Sequence, residues 1–238
     1  MGASCADPDK FSLAHLPYEI QKAIFEAATG PQIFFVEATS TGLIVSDPAY
    51  KGLAQTCRLS REIFLKYKPT LCKFKGNKCW ADLCHDIFYL HADYQSPPHF
   101  VSRHSPQSNP FDRFDRSMMT NIAVDLHYLG QHPRRDATER LWVIFPSMRK
   151  LHVFVPKGPP HTEAPIYTPE TLALADLADS AVVAPANQDK ELWWAVKYNL
   201  KRGCFRIESE NGSRERNANI VFGHVATTRK MIDHHPRD

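Results

Sequence analysis

The chain has 238 residues, 43% of them hydrophobic and 23% charged, with a formal net charge of +3. Such a balance belongs to a globular protein able to bury a core, and it excludes disorder along the whole chain. No run approaches the ~20 apolar residues that cross a membrane, and Met1 to Lys10 shows neither the basic nor the apolar part of a secretory signal. An intracellular protein, cytoplasmic or nuclear, without a membrane partner is therefore expected.

Six cysteines in such a chain read as free thiols rather than as a disulfide framework. The charge is uneven: residues 51–78 carry eight Lys or Arg against Glu62, whereas residues 163–191 carry six acids against Lys190. The basic block is a candidate contact for nucleic acid, and its plainer reading is one face of a soluble domain.

In chain order, residues 1–10 read as a flexible tail. A helix is predicted over 17–28, with Leu16, Ile20, Ala23, Ile24 and Ala27 at helical spacing and Pro17 at its start. Two β-like runs follow at 33–37 and 42–46. A longer helix over 48–67 is next, with Leu53, Thr56, Cys57, Ser60, Phe64 and Tyr67 along one stripe, and then a strand over 86–91. Residues 95–117 and 156–169 read as loops, because clustered Pro, Ser and Asn deny both helix and ladder hydrogen bonds.

Beyond the first loop, 121–126 reads as a strand, 138–148 as a helix and 151–155 as a second strand, an order that favours parallel pairing. The run from Phe145 to Val155 has the local grammar of an irregular leucine-rich unit. A helix capped by Thr168 is predicted next, then a helix over 189–202 stopped by Gly203, a β-like run over 218–223, and a flexible tail over 228–238. The expected fold is α/β or α+β. The helices at 17–28 and 48–67 pack on a small mixed sheet containing 86–91, 122–126 and 151–155, and 118–227 continues the domain begun by 11–93.

The pattern Phe11-x4-Leu16-Pro17-x-Glu19-Ile20-x3-Ile24-Phe25, then Leu53-x2-Thr56-Cys57-Arg58-x-Ser60-Arg61, then Asp86-Ile87-Phe88-Tyr89-Leu90, resembles the two-EXR domain family of fungal proteins. The match covers about residues 11–93 and continues loosely through 141–155. Both Glu-x-Arg triplets depart from the family pattern, with Gln21 in place of Arg and Leu59 in place of Glu. The resemblance implies no catalytic activity or cofactor. The opening Leu16-Pro17-x-Glu19-Ile20 also looks like the start of an F-box, whose first helix docks on a ubiquitin-ligase adaptor. Burying a Leu or Ile is worth about 1.5–3 kcal/mol, so Leu16, Ile20 and Ile24 are expected in the domain's own core.

Cys72, Cys79, Cys84 and His85 could each ligate zinc, but the spacing C-x6-C-x4-C-H lacks the short knuckle that grips structural zinc, and free thiols are expected. No nucleophile elbow, phosphate loop, dinucleotide fingerprint or His-Glu-x-x-His motif is present, so no catalytic residue is assigned. Trp193 and Trp194 point about 100° apart on a helix, which places one in the core and the other at a rim where a partner could bind. Candidate partner-binding residues are thus Leu16, Pro17, Ile20, Trp193 and Trp194. Glu19 and Arg61, the surviving acid and base of the two triplets, are expected to clamp the first two helices together. The alternative is that the Glu19 carboxylate caps the free amide of Leu16. These features point to a non-enzymatic protein-interaction module, with an F-box-type adaptor and a nucleic-acid binder as the alternatives.

Overall fold

A computed structural model describes residues 13–39, 42–46, 51–74, 77–91, 119–126, 141, 145, 147–156, 172–184, 190–210 and 220–228. A short 3-10 turn, Leu13–His15, leads into α1 (Tyr18–Ala28). β1 (Ile33–Thr39) and β2 (Gly42–Ser46) follow, then α2 (Lys51–Thr56), α3 (Arg58–Tyr67), and the strands β3 (Thr70–Phe74), β4 (Asn77–Ala81), β5 (Ile87–His91), β6 (Asn121–Asp125) and β7 (Lys150–Pro156). The chain continues through β8 (Leu172–Asp176), β9 (Val182–Val183), β10 (Glu191–Leu192), α4 (Trp193–Glu210) and β11 (Ile220–Thr228).

Seven strands form one mixed sheet in the order β2-β1-β5-β6-β7-β11-β8. The inner five are parallel, and β2 and β8 close the two edges in antiparallel pairing. The fold is α/β in character, and the three predicted segments 86–91, 122–126 and 151–155 lie side by side in this sheet. The parallel strands enter it in sequence order without a reversal, and α4 and the β3–β4 hairpin pack on one face.

That first face holds the larger core. Phe34, Val36, Phe88, Leu90, Ile122, Val124, Leu151, Val153 and Val221 meet Cys72 and Cys79 of the β3–β4 hairpin, Leu141, Phe145 and Met148, and Trp193, Val196 and Leu200 of α4. Trp193 lies directly over Gly223. A Cβ there would fall inside the van der Waals envelope of its indole Cε2 and Cζ2, so glycine is what lets helix and strand meet. The second face carries a smaller cluster of Phe35, Tyr89, Ala123, Phe154 and Ala226, with the Tyr89 ring stacked on Phe154 at 4.9 Å between centroids. Apolar groups on both faces explain why the inner strands read as near-continuous hydrophobic runs.

Several expectations are corrected. The predicted helix over 48–67 is broken at Cys57, whose extended backbone makes it the N-cap of α3; its sulfur accepts from the Ser60 amide while Ser60 Oγ accepts from the Cys57 amide at 3.0 Å. The run 172–176, read as the continuation of a helix begun at Thr168, is instead β8: Leu172 and Leu174 alternate toward the second face, and pairing with β11 overrides helical propensity. Gly203 does not stop α4, which continues to Glu210, because an interior glycine costs a helix only about 1 kcal/mol. Most of 138–148, the predicted loop 95–117, the predicted loop 156–169 beyond Pro156, and most of the terminal tails lie outside the described residues.

Candidate functional site

α1 has apolar groups on more than one side, and the inward one is marked by Phe25, the one residue of the helix that is buried. Phe25 is 3% exposed, and Thr29, just past the helix, is buried with its hydroxyl bonded to the Phe25 carbonyl at 2.9 Å. Ile20 and Ile24 form one stripe; Phe25 lies about 100° from Ile24 and Thr29 about 180° from Ile20 around the helix. That stripe therefore faces outward. Ile20 is 48% exposed and Ile24 39%, the neighbouring Ala23, Ala27 and Pro17 are exposed, and Leu16 is half-buried. The expectation that Leu16, Ile20 and Ile24 fill the domain's own core is thus corrected. An aromatic ring buries more area than an isoleucine, and it takes the inward position.

The expected clamp between Glu19 and Arg61 is also corrected. Both residues are exposed. Arg61 Nε donates to the Ala54 carbonyl at 3.1 Å, satisfying a group left open where α2 ends, and no ion pair joins it to Glu19 among the described residues. The alternative cap is absent as well, because the Leu16 amide donates to the Leu13 carbonyl at 3.1 Å. Gln21 donates to the Leu16 carbonyl at 2.8 Å.

The helices are held at the base of the sheet by a pair of which the motif contains only Asp86. The Lys68 ammonium meets Asp86 Oδ1 with both side chains buried. Lys68 Nζ also donates to the Gly30 carbonyl at 3.1 Å, and Asp86 accepts from the amides of Gln32 at 2.9 Å and Asp82 at 2.7 Å. One ion pair thus ties the end of α3, the approach to β1 and the turn before β5. Burial pushes the Asp86 carboxyl above its ordinary range, and the Lys68 ammonium and the two amides oppose that shift. A pair so enclosed and so fully bonded is structural.

At α4 the tryptophans divide. Trp193 is 1% exposed, against Gly223, and Trp194 is 53% exposed. Tyr198, one turn beyond Trp194, is exposed too, as are Val182 and Leu192, which face each other across β9 and β10. Of the five candidate partner-binding residues, Leu16, Pro17 and Ile20 are together at the start of α1, Trp194 lies on another element, and Trp193 belongs to the core.

The four weak zinc candidates do not converge. Cys72 and Cys79 face each other inside the core, whereas Cys84 and His85 lie exposed in the turn before β5, where His85 Nδ1 is bonded to Asp82 Oδ2 at 2.6 Å. Among the described residues no group of three His, Cys, Asp or Glu side chains is arranged to hold a metal ion.

A polar set on the second face was not anticipated. The Tyr89 hydroxyl donates to Asp125 at 2.7 Å. His152 Nδ1 is 2.9 Å from His224 Nε2, and His224 Nδ1 is 3.4 Å from Asp176 Oδ1. The tautomers that satisfy both contacts have His224 Nδ1 donating to Asp176 and His152 Nδ1 donating to His224, which leaves the buried His152 Nε2 as a lone pair. Burial, His224 and Lys150 together lower the His152 pKa to about 4. The chain of three side chains links β7, β11 and the edge strand β8. Its signal in the sequence was local: His152 and His224 each interrupt an otherwise apolar run, in β7 and in β11.

No family model, curated protein or solved structure matches the chain.

Proposed function

We propose that this protein is a non-enzymatic, intracellular protein-interaction module whose contact element is the outward face of α1. The observation that carries the reading is the exposure of Ile20 and Ile24 at the head of a helix whose core contact is made by Phe25. Two isoleucines, two alanines and a proline on one rigid face offer a partner the kind of apolar stripe that a helix lays into a groove. Two further features support it. The sheet order runs in one direction, without the reversal that opens a ligand crevice in doubly wound sheets. Exposed thiols at Cys57 and Cys84 suit a reducing compartment. The reading also rests on the resemblance to the two-EXR domain family, which implies no chemistry.

A second reading, docking on a ubiquitin-ligase adaptor, is favoured by one specific observation. The Leu16-Pro17-x-Glu19-Ile20 segment that looks like an F-box opening presents Pro17 and Ile20 to the outside, as such docking requires. The strands β1 and β2 that follow take the place of the helices an F-box would continue with. Nucleic-acid binding through residues 51–78 is the weaker alternative. Lys68 is buried with Asp86 and Arg58 is bonded to Glu62 at 2.9 Å, so part of that basic block is already engaged.

The test is affinity capture from cell extract followed by mass spectrometry, with the wild type and an Ile20→Glu/Ile24→Glu variant as parallel baits. The proposal expects proteins captured by the wild type and lost by the variant. Recovery of the ligase adaptor among them selects the second reading. Identical captures by the two baits would overturn both, and salt-sensitive recovery of nucleic acid by both would favour the third.

A further inference from the structure

We propose that Cys72 and Cys79 are a redox couple, which a peroxide closes into a disulfide across the β3–β4 hairpin and a dithiol reductant reopens. The two cysteines are directly opposed in the antiparallel register of the hairpin, with Leu71 opposite Trp80 and Lys73 opposite Lys78 on either side. Opposed residues of an antiparallel pair have Cα atoms about 4.5 or 5.5 Å apart, and both spacings lie within the ~4.4–6.8 Å that a disulfide spans. Both side chains are buried on the same face of the hairpin, against the first face of the sheet, so they are held together without competing solvent.

The Cys79 thiol is hydrogen-bonded to the Cys72 sulfur and pulls the Cys72 thiol below its ordinary range, against its burial and the Asp86 charge. That bond favours Cys72 as the attacking thiolate. The other side of the hairpin presents Leu71 and Lys78 to solvent, so the buried pair lies one layer of chain from the surface.

The chemistry balances with a peroxide as the oxidant. The Cys72 thiolate attacks one oxygen of hydrogen peroxide and the O–O bond breaks. Cys72 becomes a sulfenic acid, and the departing hydroxide leaves as water with the proton given up by the Cys72 thiol. The Cys79 thiolate then attacks that sulfur; the S–S bond forms, the S–O bond breaks, and the oxygen leaves as a second water with the Cys79 proton. The two thiols lose two electrons and two protons, and the peroxide takes up both. The bond would lock a hairpin whose ends are already joined by Lys68, two residues before Thr70, and Asp86, five after Ala81.

The full chain, reduced and then exposed to hydrogen peroxide, is alkylated, digested without reductant and mapped by mass spectrometry, with thermal unfolding followed in parallel. The expected result is a Cys72–Cys79 cross-link that dithiothreitol reverses, together with a rise of about 5 °C or more in the unfolding midpoint. The midpoint rise should vanish in Cys72→Ala and persist in Cys57→Ser/Cys84→Ser. Alkylation of both buried thiols after peroxide treatment, their advance to sulfinic acid without a link, or a link to Cys57 or Cys84 would overturn the proposal. The wild-type map decides alone if a variant fails to fold.

Discussion

Lys68 and Asp86, eighteen residues apart, form an ion pair buried on both sides where the helices meet the sheet. Each partner satisfies the other's charge in a place water does not reach, and the backbone groups of Gly30, Gln32 and Asp82 complete the shell. Removing one partner leaves a buried charge uncompensated. Lys68→Met is therefore expected to lower stability by about 3–5 kcal/mol, and Lys68→Met/Asp86→Leu by clearly less than the sum of the two single changes. Chemical denaturation of the four proteins of this cycle measures the difference. Additive losses would show that the pair is not coupled.

The buried His152 makes stability depend on pH in a definite direction. Its pKa is about 4 in the folded chain and takes the ordinary histidine value when unfolded. Between those values the unfolded state binds the extra proton, so the contribution is fully present above about pH 6.5 and is lost as pH falls toward 4. A gap of this size corresponds to about 3 kcal/mol. His152→Phe should flatten the acid side of the stability profile by about one proton in that window, as read from denaturation midpoints at successive pH values. An unchanged slope would mean that His152 is not buried as a neutral ring.

Gly223 and Trp193 make a steric prediction. Gly223→Ala adds a methyl group where the indole already lies. A loss of about 1–3 kcal/mol is expected from overpacking. Trp193 fluorescence should shift, while Trp194→Ala, at an exposed site, should leave stability within about 0.5 kcal/mol of the wild type.

The two sides of α1 should respond oppositely to substitution. Phe25→Ala is expected to cost about 3–5 kcal/mol as a buried aromatic deletion. Ile20→Glu and Ile24→Glu, on the outward stripe, should each change stability by no more than about 0.5 kcal/mol. Thermal or urea unfolding of the three variants checks the orientation of the helix. A large loss from the glutamates would place the stripe in the core.

How much of this was legible in the sequence depends on whether the deciding contact was local. The runs 33–37, 42–46, 86–91, 121–126 and 151–155 are apolar and short, and all are found as strands. The existence of α1 was equally plain. Its orientation was not, because helical spacing connects Ile20 with Ile24 but does not show whether that stripe or Phe25 meets α3. β8 was misread because Leu172 and Leu174 fit either an apolar helix turn or an alternating strand, and only pairing with β11 decides between them. The Glu19–Arg61 clamp followed from the motif, yet Arg61 is drawn to the end of α2, and although the pattern includes Asp86 nothing in it names Lys68 as the partner. The cysteine pair was nearer to being readable: only two residues separate β3 from β4, and antiparallel pairing of such neighbours sets position 72 opposite 79.

Site-specific photo-crosslinking tests the central claim most directly. A photoreactive amino acid placed at Ala23 or Ala27, both exposed on the outward side of α1, reports whatever touches that face in cell extract. The same group at Trp194 reports the other exposed aromatic surface. The account predicts a discrete higher-mass protein adduct from the α1 positions, lost when Ile20→Glu/Ile24→Glu is introduced. Adducts from Trp194 alone, with none from Ala23 or Ala27, would contradict it.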